Sequence, residues 1–204
     1  MIIKNTLRII RDYKFSLVKI IFFELLYFIK GYSGFKFNFS NNSTMTDNIP
    51  CPYYLLLIIK KHLVKSDFIR LVDLGCGSGR VIDFFNNSFP KKKFIGIEYF
   101  SQQFEYCKNS FDKNDNVKII QADFTKIDIM KLNSDYFFLT APFKNTHDFL
   151  NFVERIISLS NKKIFFIIIN YNKKTIEKIK NIEIIETYYI SENTGYSICC
   201  SNNI

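Results

Sequence analysis

From residue 50 onward, two hydrophobic periods take turns along the chain. Short apolar runs at 69–73, 94–97, 117–121, 135–139 and 163–170 have the length and the β-branched or aromatic content of strands. Ile164 to Ile169 is apolar throughout, the pattern of a parallel strand covered on both faces. Between these runs, residues 55–64, 80–87, 101–112, 145–159 and 172–180 repeat their apolar positions every three or four residues and predict amphipathic helices. In 145–159 the buried side is Phe149, Phe152, Val153, Ile156 and Ile157. Two last strands, 182–190 and 196–200, are joined by the turn-forming residues 191–195 and read as a hairpin. Strands alternating with helices and closed by a hairpin predict a doubly wound, seven-stranded, mostly parallel α/β sheet that takes its ligand at the carboxyl ends of the strands.

The first 48 residues do not follow this alternation. In 1–30, Lys4, Arg8, Asp12, Ser16 and Lys19 fall on one helical face and Ile9, Ile10, Tyr13, Leu17, Ile20 and Ile21 on the other. From Ile20 to Ile29 the segment is apolar almost all round, broken by Glu24 alone. That is shorter than the roughly 20 apolar residues of a bilayer span, and it lacks the small-residue cleavage site of a signal peptide. Three readings compete for this helical extension: a cap or dimer contact on the main domain, an element lying on a membrane surface with its basic residues toward anionic headgroups, or a degraded anchor. Residues 31–48 are rich in Gly, Ser, Asn and Thr and read as a loop or lid, which leaves 49–204 as the main domain.

The chemistry centres on Asp73-Leu74-Gly75-Cys76-Gly77-Ser78-Gly79-Arg80, where a strand meets a tight turn and a helix start. Glycines suit such a turn because it demands positive φ and because a ligand must approach bare backbone. The dinucleotide pattern G-x-G-x-x-G is not met, since Arg80 stands where its third glycine would fall, and the phosphate loop G-x-x-x-x-G-K-[ST] is absent. An acid beside the turn suits a cationic ligand better than a pyrophosphate. Glu98 closes the second predicted strand 19 residues past Gly79, where a carboxylate can accept from both hydroxyls of a ribose. Asp123 follows the third. Three acids at three successive strand ends form one constellation.

D-x-G-x-G-x-G resembles the first motif of the class I S-adenosylmethionine (SAM)-dependent methyltransferases. The resemblance extends over about residues 50–200 through the closing hairpin and implies SAM as cofactor and methyl transfer as the activity. It assigns Asp73, Gly75, Cys76, Gly77 and Gly79 to the methionine end, Glu98 to the ribose, Asp123 to the adenine amino group and Phe124 to the ring; of the aromatics after Glu98, Tyr99 or Phe100 is expected at the adenine edge or, alternatively, in the core. In that family the loop after the fourth strand often reads N-P-F or [DN]-P-P-[YF], the polar residue orienting an amine. Here Thr140-Ala141-Pro142-Phe143 keeps the proline and the aromatic but has Ala141 at the amide position, which argues against methylation of nucleobase or glutamine nitrogen. Thr140, Pro142 and Phe143 are the candidate acceptor contacts, and His147 the candidate base, set against a solvent-facing histidine in a helical first turn. Residues 49–80, with Pro50 and Pro52 before Tyr53 and Tyr54, also resemble some bacterial SAM-dependent methyltransferases and a family of membrane-anchored protein-lysine methyltransferases. Either tyrosine is then a pocket residue or a core residue. Arg80 is expected to face solvent or to pair with a neighbouring acid.

Composition changes this picture little. At 204 residues, 48% hydrophobic and 23% charged, the chain can bury a full α/β core. Its net charge of +9 is spread along the chain, so a solvated surface is weighed against nucleic-acid binding, which is not favoured. Five cysteines without a C-x-x-C pair suit a reducing cytoplasm, with one of Cys199 and Cys200 in the core and the other facing out. Two histidines offer no metal site. The expected partner is an unidentified methyl acceptor, a protein side chain such as lysine or a small molecule, with contact to a membrane through 1–30 and a monomer or homodimer left open. A SAM- or nucleotide-binding module without transferase activity, and a nucleic-acid methyltransferase, are the alternatives.

Overall fold

The computed structural model describes residues 17–31 and 50–202. Seven strands make one sheet: β1 (Arg70–Leu74), β2 (Lys93–Glu98), β3 (Val117–Gln121), β4 (Tyr136–Thr140), β5 (Phe165–Ile169), β6 (Ile182–Ser191) and β7 (Thr194–Ser201), in the order β3-β2-β1-β4-β5-β7-β6. β1 pairs in parallel with β2 and β4, β2 with β3, and β4 with β5. β7 lies antiparallel between β5 and β6. The chain leaves β1 toward one edge and returns to β4 on its other side, so a crevice opens at the carboxyl ends of these two strands.

Side chains alternate across the sheet as the pleat requires. Leu71, Phe94, Phe138 and Ile167 share one core layer with helices α2 (Tyr53–Leu63) and α3 (Arg80–Ser88). Val72, Ile95, Phe137 and Phe166 face the other, with α5 (Thr146–Leu159) and α6 (Lys173–Ile176). Each large side chain removed from water in these layers contributes about 1.5–3 kcal/mol. Helix α4 (Ser101–Ser110) leads from β2 to β3, and a 3-10 turn, Ile129–Leu132, which the pattern does not announce, precedes β4.

The described part of the extension, α1, is helical over 17–29 and packs on this body. Tyr27 stacks on Tyr53 with ring centroids 4.5 Å apart, and Phe23 on Tyr54 at 5.8 Å. The predicted loop or lid falls, apart from Gly31, outside the described residues.

Three expectations change. The hairpin turn is two residues, Glu192 and Asn193, instead of five, because pairing continues to Ser191 and Thr194. α6 is a single turn capped by Asn172, whose side chain accepts from the Thr175 amide, and not a helix through Lys180. Cys199 and Cys200 are both buried, at 0% and 1% exposure. β7 is an interior strand with both faces covered; the Cys200 Sγ turns to Glu183 Oε2 at 3.6 Å instead of to solvent.

Candidate active site

The glycine turn takes the shape its composition predicts. Gly75, Gly77 and Gly79 have φ of +83°, +54° and +87°, the left-handed region in which a side chain is strained. A Cβ at Gly75 would lie 3.9 Å from the Phe124 ring, and one at Gly79 only 2.7 Å from Cys107 Sγ. The turn is tied down by its neighbour strand: the amides of Gly75 and Cys76 donate to Ile97 O at 2.9 and 3.0 Å. Cys76 has its Sγ 4.0 Å from that of Cys107, so it meets the buried thiol below the turn. Gly79 then caps α3, whose amino terminus, with its partial positive charge, begins at the turn.

Asp73 and Glu98 are both buried, at 2% and 5% exposure, and differ in how they are satisfied. Glu98 Oε2 accepts from the Gly77 amide at 2.8 Å and Oε1 from the Phe100 amide at 2.9 Å. A carboxylate has about four lone-pair sites, so Glu98 keeps acceptor capacity for a ribose hydroxyl beyond its bonds to the backbone amides. Burial raises the pKa of Glu98, against these amide bonds. Asp73 Oδ2 has no hydrogen-bond partner among the described residues. Burial, and then the charge of Glu98, push its carboxyl up to about 8. A buried carboxyl with an unsatisfied oxygen is the environment a positively charged ligand relieves.

Asp123 is less buried. Desolvation raises its pKa, but bonds from the Thr125 amide at 3.0 Å and hydroxyl at 2.6 Å, with Lys126 at 3.3 Å, outweigh it and hold the group below the usual carboxylate range. Phe124 lies in the core edge to face with Phe143 and Phe152, at 5.7 and 5.1 Å. Tyr99 is half exposed and packs edge-on against Phe100.

Across the crevice, Thr140 ends β4 and Ala141 adopts φ +39°, unusual for a residue with a Cβ. The Ala141 amide donates to Ile169 O at 3.1 Å, and the Tyr171 hydroxyl donates to Phe143 O at 3.2 Å, with Tyr171 stacked on Phe149. Pro142 and Phe143 are buried. His147 is exposed in the first turn of α5, its Nε2 3.0 Å from Asn151 Nδ2 on the same helix. The structure thus brings Asp73, the glycines, Glu98, Asp123 and Phe124 to one end of the sheet with Thr140, Pro142 and Phe143, and leaves His147 on the surface.

Two features go beyond the sequence reading. Of the two expectations for Arg80 the structure takes the ion pair, with an acid far off in sequence: Arg80 is 4% exposed, pairs with Glu24 Oε2 at 2.9 Å, donates to Cys51 O and lies 4.4 Å from the Tyr53 ring. Glu24 Oε1 in turn accepts from the Tyr53 amide at 2.9 Å. Tyr53 and Tyr54 are accordingly packing residues, Tyr54 reaching the Tyr188 hydroxyl at 2.9 Å. The signal was one acid in an apolar run and one arginine at a helix start, 56 positions apart. The second is the support of the strand-four loop by Tyr171.

Sheet order, a bare-backbone turn after β1 and acids at the ends of β1 and β2 together define a class I SAM-dependent methyltransferase. A family model described as a methyltransferase domain matches residues 65–196, and the chain belongs to that family. No curated protein matches it. Among solved structures it is similar to a SAM-dependent methyltransferase from Aquifex aeolicus, at 16% identity and a TM-score of 0.55, over 74% of this chain and 93% of that one. It is also similar to human methyltransferase 10 domain containing protein, at 17% identity and TM-score 0.56, over 77% and 88%. A third likeness is to the plantazolicin methyltransferase BpumL in complex with SAH, at 10% identity and TM-score 0.52, over 72% and 80%. At these identities the likeness is one of fold.

SAM is the cofactor, and the residues fit it. Asp73 offers a buried carboxyl with an unsatisfied oxygen, Glu98 further acceptor capacity beyond its amide bonds, and Gly75 bare left-handed backbone beside Phe124. When bound, SAM supplies a methyl group on a positively charged sulfur.

Proposed function

We propose that the enzyme methylates a neutral nucleophile, a lysine-type amine or a hydroxyl, on a protein side chain or a small molecule. In this reading Asp73 and Gly75, Cys76, Gly77 and Gly79 hold the methionine end, Glu98 the ribose, and Asp123 with Phe124 the adenine. Tyr99, half exposed beside Glu98, borders the adenine edge. Thr140, Pro142 and Phe143 border the acceptor, and the work of the site is to hold nucleophile and methyl in line in a water-poor crevice, which can lower a barrier by about 7–11 kcal/mol. The observation that carries the reading is the buried, partnerless Asp73 oxygen beside three left-handed glycines. Ala141, where a nucleobase amino methyltransferase would place an amide, favours this acceptor class over nucleic acid. Five free, buried cysteines favour a cytoplasmic setting.

The test is transfer of labelled methyl from SAM into fractionated cell extract. Label in the protein or small-molecule fraction is expected. Label confined to RNA or DNA, with binding that falls steeply with salt, would replace the reading with a nucleic-acid one. SAM binding without label in any fraction would make the chain a binding module.

A further inference from the structure

Helix α1 has two faces of opposite character. Its inner face carries Phe23, Glu24 and Tyr27, which engage Tyr54, Arg80 and Tyr53. Its outer face carries Val18, Ile21, Phe22, Leu25, Phe28 and Ile29, exposed by 67, 51, 58, 58, 67 and 80%. Their spacing puts all of them on one stripe. Isolated exposed apolar residues are ordinary, but a continuous stripe of six marks an interaction surface.

We infer that α1 docks the protein on an anionic lipid surface through this stripe. Charge argues for that occupant. The single acid of residues 17–31, Glu24, is turned inward onto Arg80, so the outer face carries no negative group. Lys19 and Lys30 sit near the two ends of the helix, their ammonium groups 5.9 and 5.4 Å from the rings of Tyr54 and Tyr27. The sequence just before the helix adds Lys4, Arg8, Arg11 and Lys14 against one acid, Asp12. Cations flanking an apolar stripe are what holds a helix at the headgroup level of an anionic bilayer. No helix among the described residues is long and apolar enough to cross a membrane, so the contact is parallel to the surface. Because Glu24, Phe23 and Tyr27 fasten the inner face to α2 and α3, the whole domain rides on the helix.

The test is flotation of the full chain with vesicles of phosphatidylcholine alone or mixed with phosphatidylglycerol, and it needs no methyl acceptor or activity. The protein is expected to float with the anionic vesicles, to stay down with the neutral ones, and to be released by high salt. The variant Phe22→Asp, Leu25→Asp, Phe28→Asp should bind roughly tenfold or more weakly while keeping the far-UV circular dichroism of the parent. If that variant loses its fold, Leu25→Asp alone is measured, with a roughly threefold fall expected. Failure of the parent to float, or equal flotation of parent and variant, overturns the inference. So does a parent that light scattering shows to be a dimer and a variant that is monomeric, since the occupant would then be a second copy.

Discussion

The two sides of the crevice are built on different principles. On the cofactor side, at the ends of β1 and β2, polar groups are few, buried and aimed: three glycines in left-handed backbone, Glu98 bridging the turn to the start of α4, and Asp73 with an oxygen unanswered. On the acceptor side, Thr140-Ala141-Pro142-Phe143 is mostly apolar, and its shape is held from a distance by Tyr171 and by the rings of Phe124 and Phe152. Charge placement defines the first, ring packing the second. In the proposed reading, the cofactor would meet fixed backbone and buried carboxylates, whereas the acceptor would meet packed rings that a substitution can rearrange without touching a charge.

Substitutions on the two sides should therefore separate. The largest effect belongs to Gly79→Val. Its φ of +87° strains a branched side chain, and the new Cβ would meet Cys107 Sγ at 2.7 Å and Phe111 at 2.9 Å. A loss of about 3–4 kcal/mol in urea unfolding is expected, with SAM binding gone. Glu98→Gln comes next. A carboxamide has a single accepting oxygen, so the Gly77 or Phe100 amide would face an NH2 group, and SAM affinity should fall roughly 30- to 100-fold by calorimetry.

A pH dependence follows, set by Asp73. Its pKa of about 8 in the folded protein lies above the value near 3.9 of an unfolded chain, so this group adds stability that is full below about pH 4 and is lost as pH rises through about 8. A cationic ligand prefers the ionised form. SAM affinity should therefore strengthen by up to about tenfold per pH unit below pH 8 and level off above it, with proton release on binding at pH 7. Asp73→Asn should remove the slope, as read from calorimetry in buffers of different ionisation heat. The smallest effect is on the acceptor side: Phe143→Leu should leave SAM affinity within about twofold and lower turnover several-fold, because it removes ring contacts with Phe124 and Phe152 without touching a charge. If Phe143→Leu weakened SAM as much as Glu98→Gln does, the two sides would not be distinct.

What could be read in advance was local. β1 to β5, the glycine turn and the three acids are legible because hydrophobic period, positive φ and strand-end position are properties of a few neighbouring residues. What could not be read was set by residues far apart in the chain. Arg80 is polar at a helix start, and only packing of α1 on Tyr53 makes it a buried ion pair with Glu24. Cys200 looks half exposed in a closing hairpin until β7 is placed between β5 and β6. The acceptor loop depends on a hydroxyl from Tyr171, 28 residues on.

The most direct test of the account is the SAM affinity of the double variant Asp73→Asn, Glu98→Gln, measured at pH 8 once its circular dichroism matches the parent. Loss of both carboxylates should weaken SAM by at least about hundredfold. Affinity equal to that of the parent would contradict the placement of the cofactor at the ends of β1 and β2.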